Sequence, residues 1–185
     1  MDQRLEEMLR ARQSIYERQQ HRGAVTAHEL GEATGVSGWS VAKVVVVKER
    51  DGYVMAVLPA ACVLDLDRLK GLIGHGDVRL ATVEEIERVT GGLSAGAVPP
   101  FGALYGLKTF VDGALANRPE IAMPAGDFAT SLRMRGSEYL RLAQPHLGDF
   151  AVPEAAASES APRIRARRDT REPTPSRRRR RVRGK

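Results

Sequence analysis

A single cysteine, Cys62, excludes an internal disulfide, and the four histidines (His21, His28, His75 and His146) show no Cys/His ligand spacing. A reducing compartment, no metal and no cofactor are therefore expected. Aromatic residues are scarce at 5% of the chain, so a core must rest on valine, leucine and alanine. Long apolar runs are missing as well. The longest, residues 54–64, contains Pro59 and falls short of the roughly 18 to 20 residues that a membrane helix needs. The N-terminal stretch MDQRLEEMLRARQ is charged throughout and has no signal-peptide centre, so a cytoplasmic protein without a membrane partner is expected. No Ser/His/Asp or Cys/His constellation can be read either: Ser94, Thr109 and Ser131 have no evident base partner, and His75 and His146 fall in turns.

What is present is unevenly distributed. The net charge is +6, but residues 151–185 hold 12 of the 29 basic residues and 4 of the 23 acids, so the tail carries +8 and the remainder −2. The tail is built of Ala, Pro, Ser, Glu and Arg with almost no large apolar residue, and such a segment cannot offset its ordering entropy by burial. The expected organisation is a domain over residues 1–150 and a disordered basic tail over 151–185.

The stretch GWSVAKVVVVKERDGYVMAVLPA, residues 38–60, organises the domain. Its β-branched valines resist helix, and Asp51-Gly52 is a strong hairpin signal, so two antiparallel strands meet there. A run apolar on both faces belongs inside a covered sheet. Lys43 is the exception within it. An unpaired buried ammonium would cost several kcal/mol, so Lys43 must reach the rim, pair with an acid or await an anionic ligand.

Around this hairpin, Leu5, Met8, Leu9, Ile15 and Tyr16 recur near helical spacing and predict a first helix over residues 3–19. Thr26 to Glu29 opens a second helix that Gly35 stops, DLDRLK opens a third that Gly74 ends, and Thr82 to Glu85 opens a fourth that runs to Thr90. Residues 93–106 carry Gly96, Gly102, Gly106, Pro99 and Pro100 and read as an irregular loop of the kind that holds sites. A strand at residues 109–111 ends at Asp112, which caps a short helix. A strand pair follows across the turn PAGD, and Ser137 begins a last helix. The fold class is α+β: a mixed, curved β-sheet with helices packed on the outside.

The ordered set of YERQQH, TAHEL, VAKVVVVK, GYVMAVLPA, GAVPPFG, Val111-Asp112, Gly126 and SLRMRGSEYLRL resembles the YbaK/ProX (EbsC-like) family of aminoacyl-tRNA deacylases over residues 14–147. The resemblance implies a trans-editing hydrolase that cleaves the ester at the 3' end of mischarged tRNA. It places the family's central lysine on Lys43 and its glycine-x-x-x-proline loop on Gly96 and Pro100. Lys43 would position the terminal nucleotide or the attacking group, while the backbone of the loop would polarise the ester. Tyr16, His21, Phe101, Gly102 and Asp112 are the substrate-side candidates, Asp112 either as a partner of Lys43 or as a helix cap. Met55, Leu58 and Phe101 would line an apolar pocket. Close relatives carry a Cys-Glu pair before the loop glycine and a histidine after the glycine matching Gly126. Here those places hold Leu93-Ser94 and Phe128, which leaves the amino-acid specificity open. Aminoacyl-tRNA is the implied partner, with a synthetase or an elongation factor as further candidates. Arg177, Arg178, Arg179, Arg180, Arg181 and Arg183 form a polycation suited to RNA phosphates. The competing reading is a catalytically silent tRNA-binding module of the same fold.

Overall fold

A computed structural model describes residues 1–74 and 76–155. Its elements are α1 (Gln3–Ala11), β1 (Glu17–Gln20), α2 (Ala27–Thr34), β2 (Ala42–Glu49), β3 (Gly52–Pro59), β4 (Cys62–Leu64), α3 (Leu66–Ile73), β5 (Arg79–Leu80) and α4 (Val83–Thr90). After two short 3-10 turns, Ala95–Ala97 and Gly102–Tyr105, come β6 (Lys108–Asp112), α5 (Gly113–Ala116), β7 (Glu120–Pro124), β8 (Thr130–Arg135), α6 (Gly136–Ala143), β9 (His146–Gly148) and β10 (Ala151–Pro153). The α+β expectation holds, with a mixed central sheet in the order β5-β2-β3-β6-β9 flanked by a three-stranded sheet, β1-β8-β7, and the pair β10-β4.

The residues rich in valine occupy the centre of the large sheet, as a run apolar on both faces requires. Met55 and Val57 of β3 pack on one side with Leu5 and Leu9 of α1, Val98, Phe101, Leu115 and Tyr139. Val54, Ala56 and Leu58 pack on the other with Cys62, Leu69 of α3, Phe110 and Phe150. The register pairs Glu49 with Gly52, so the two turn residues are Arg50 and Asp51, one position earlier than Asp51-Gly52 suggests. The helix caps fall where the sequence puts them. Thr26, Asp65 and Thr82 accept the backbone N–H three residues on, and Gly35, Gly74 and Gly91 close their helices in the left-handed region.

Three expectations are corrected. The first helix ends at Ala11, not residue 19: Gln13 takes φ 49°, Ile15 is 83% exposed, and the chain then pairs with β8 as β1. Ile15 and Tyr16 match helical spacing by chance, and strand pairing outweighs it. The last helix starts at Gly136, not Ser137: its N-cap is Arg135, which makes no side-chain cap hydrogen bond, and Gly136 sits against the Arg118 carbonyl oxygen, 2.1 Å from where a Cβ would stand. The third correction concerns the domain boundary, since order continues past residue 150. Ala151–Pro153 pair antiparallel with Cys62–Leu64, and Phe150 is wholly buried, worth about 1.5–3 kcal/mol. The six tail arginines and His75 lie outside the described residues.

Candidate active site

Lys43 lies near the start of β2, opposite Leu58 and on the face of Val45, Ala56 and Leu58. Its side chain is 26% exposed. Its Nζ donates to the Cys62 carbonyl oxygen and lies 3.6 Å from Glu154 Oε1. Of the three fates open to this lysine, the structure shows a half-buried stem, a fixed carbonyl acceptor and an acid. That acid comes from the end of the fold. Glu154 directly follows β10, and its backbone N–H donates to the Ala61 carbonyl at 3.1 Å.

Asp112 is buried, and its carboxylate is committed elsewhere. Oδ1 accepts the Ala114 N–H at 2.8 Å as the cap of α5, and Oδ2 accepts the N–H groups of Phe150 and Ala151, both at 2.7 Å. It therefore clamps residues 150–154 in place and reaches Lys43 only through the strap it holds. Arg118, whose guanidinium lies 5.3 Å from the Trp39 ring centroid, completes the neighbourhood. Cys62 feels all four charges. Burial and then Asp112 push its thiol up, Lys43 pulls it down, Glu154 adds to the rise and Arg118 opposes it. A thiol held above its ordinary range is not a nucleophile at neutral pH.

The loop meets β2 from another direction. β5 covers only Val47 and Lys48, and Val41 bridges to Ala122 of β7. The turn Ala95–Ala97 also lies against β2. Val98 shares a core cluster with Ala42, on the face opposite Lys43, so the loop supports the strand that carries the ammonium rather than facing the ammonium across a pocket. Gly96 is dictated by packing: a Cβ would stand 1.8 Å from the Val25 carbonyl oxygen. Gly126, at φ 104°, donates its N–H to the Ala97 carbonyl at 2.9 Å and ties the β7–β8 turn to the same loop, with Phe128 beside Gly96. Gly96→Ala is expected to lower stability by about 1–3 kcal/mol, since neither backbone can yield cheaply; an unshifted thermal midpoint would refute this packing role.

Other candidates are structural or remote. Pro100 and Phe101 are buried, the Pro100 carbonyl accepting the Tyr139 hydroxyl at 3.0 Å and the Phe101 ring meeting Tyr139 edge-on. Met55 and Leu58 are also wholly buried, so the expected apolar pocket is core. The Gly102 N–H donates to Thr109 Oγ1 at 3.0 Å, where a Cβ would clash. Tyr16 borders a depression of about 270 Å³ with Glu120, Arg133 and Arg135, and His21 borders another of about 310 Å³ with Gln19, Gln20 and Thr34. Neither depression includes Lys43, and neither is lined by a buried charge. Lys43 carries the weight here because it alone among these candidates is a half-buried cation, with a carboxylate and a carbonyl beside it. Sequence reasoning missed Glu154 and Arg118, since nothing local marks a residue that arrives from a distant element.

A family model described as the aminoacyl-tRNA editing domain matches residues 21–142. The multifunctional Ser/Thr-tRNA deacylase ProXp-y of Escherichia coli K12 is 33% identical over 135 residues, which cover 70% of this chain and 80% of that one. A proline–tRNA ligase of Thermotoga sp. RQ2 is 31% identical over 102 residues, 50% of this chain but only 18% of the ligase. Among solved structures, a candidate trans-editing enzyme for prolyl-tRNA synthetase superposes with a TM-score of 0.69 at 26% identity, covering 80% of this chain and 95% of the other. By sequence over the stretch that holds Lys43, the turn Ala95–Ala97 and Asp112, and by fold, the chain belongs to the aminoacyl-tRNA editing domain family, the deacylases of mischarged tRNA.

Proposed function

We propose that Lys43 binds the phosphate of the terminal nucleotide of an aminoacyl-tRNA and so fixes the ester for attack by water. Water oxygen bonds to the carbonyl carbon, the bond to the ribose oxygen breaks, and the proton from water leaves on the ribose hydroxyl. One observation carries the reading: a half-buried ammonium whose fixed partner is neutral, the Cys62 carbonyl, and whose charged partner is an exposed carboxylate. Such a cation is already oriented and still able to accept an anion. Holding the ester in a reactive geometry is itself worth orders of magnitude, and a misplacement of about 1 Å can cost about a hundredfold. No protein nucleophile is needed, in keeping with the raised Cys62 thiol.

The similarity to the Escherichia coli deacylase makes seryl- and threonyl-tRNA the first substrates to try. Synthetase pockets reject near-isosteric amino acids by only about 1–3 kcal/mol, so a second sieve for such products is required. The proline–tRNA ligase relatives make a synthetase a reasonable further partner. Incubation with tRNAs charged with Ser, Thr, Ala and Cys tests this reading: release of Ser or Thr above the spontaneous rate is expected, and tight tRNA binding with no hydrolysis of any of the four would overturn it in favour of a silent module.

The tail extends the same reading. Residues 156–185 hold 12 basic and 3 acidic residues and begin two positions after Glu154, the residue beside Lys43. They are suited to hold tRNA phosphates next to the site. Deleting residues 156–185 is expected to weaken tRNA affinity and flatten its dependence on salt, by roughly 0.7–0.9 in log–log slope for each phosphate that the tail neutralises. An unchanged slope would make the tail passive. The cut belongs after Ala155, because residues 151–154 are part of the fold.

A further inference from the structure

The carboxylate on Lys43 is brought there by a built device. Phe150 is locked into the core, Asp112 holds the N–H groups of Phe150 and Ala151, β10 lies on β4, and the Glu154 N–H is fastened to the Ala61 carbonyl. The backbone of residue 154 is thus fixed, while its side chain is 55% exposed and its contact with the ammonium is 3.6 Å. The two halves of this arrangement differ in strength. The strap is anchored by burial and several hydrogen bonds, whereas an exposed ion pair of this length shifts an equilibrium by no more than about fivefold. An anchored carboxylate making a weak contact suits exchange better than permanent structure.

We propose that Glu154 is a resident occupant of the anion site at Lys43, a carboxylate that the substrate's phosphate displaces when the tRNA terminus arrives. The inference rests on the reading that Lys43 binds that phosphate. In the free protein Glu154 neutralises the ammonium and keeps it extended toward the Cys62 carbonyl. A polyanion that brings its own phosphate, with further phosphates held by other basic groups, exchanges for the carboxylate at little cost. A small stray anion has only the one contact with which to compete. Glu154 thereby sets the threshold for occupancy of the site.

Glu154→Gln keeps the side-chain shape and removes the charge. The variant should show a two- to fivefold lower KM for aminoacyl-tRNA, and adenosine 5'-monophosphate, a mimic of the terminal nucleotide, should inhibit it two- to fivefold more strongly than wild type. A raised KM would overturn the proposal, because the carboxylate would then be contacting substrate. Unchanged values of both constants would overturn it too. These failures are separable from failure of the underlying reading. If Lys43→Ala is inactive but Glu154→Gln has wild-type constants, only the occupancy role falls; if Lys43→Ala remains active, the role of the lysine falls first.

Discussion

Lys43→Ala is expected to lower kcat/KM for deacylation at least about a hundredfold while the protein keeps its fold. The size follows from what the ammonium is asked to do. Removing one preorganised charged or hydrogen-bonding group from an active site costs about 10²–10³ in rate, and loss of ester positioning costs a similar factor. The fold should survive because the side chain is 26% exposed, its pair with Glu154 is a surface contact, and β2 is held by β3 along its whole length. Lys43→Arg should not rescue, since a planar fork cannot take the place of a compact ammonium at the Cys62 carbonyl. Steady-state kinetics beside a thermal melt decides the matter: near-wild-type turnover would remove Lys43 from the chemistry, and an unfolded variant would make it structural.

Asp112→Ala is expected to produce the largest loss of stability of any substitution near the site, about 3–5 kcal/mol. The buried carboxylate accepts three backbone N–H groups, and each buried donor left unpaired costs about 1–3 kcal/mol. The damage should be directional. α5 loses its cap while the strap loses its clamp, so residues 149–155 should become open to proteolysis before the central sheet does. Asp112→Asn retains one acceptor oxygen and presents an amide to the remaining donors, so it should fall between alanine and wild type. A thermal midpoint within a degree of wild type for Asp112→Ala would refute the clamp.

Both residues were visible in the sequence, but their relation was not. The lone charge in a valine run marks Lys43, and an acid at a strand end before a small helix marks Asp112 as a cap, which it is. The pairing once open between them is replaced by Glu154, which no local pattern signals because it reaches the lysine from the far end of the folded chain. Composition put the tail boundary at residue 150, yet the three residues of β10 are ordered by pairing to β4 and by the burial of Phe150, both tertiary effects. The helix caps were legible because a capping side chain and a left-handed glycine act within one turn of chain. The overrun of α1 into β1 shows the converse. Helical spacing at Ile15 and Tyr16 carried no information about a strand whose partner, β8, lies more than a hundred residues away. Phe101 was misplaced for a similar reason: a residue in a glycine-proline loop reads as accessible, whereas here the loop turns it into the core against Tyr139.

The central claim is that the ammonium of Lys43 holds the substrate end for ester hydrolysis. Its most direct test is single-turnover hydrolysis of seryl- and threonyl-tRNA at saturating enzyme, comparing wild type with Lys43→Ala. The account predicts that wild type releases the amino acid well above the spontaneous rate and that the folded variant falls to about one hundredth of that acceleration or less. Equal rates for the two proteins would contradict it.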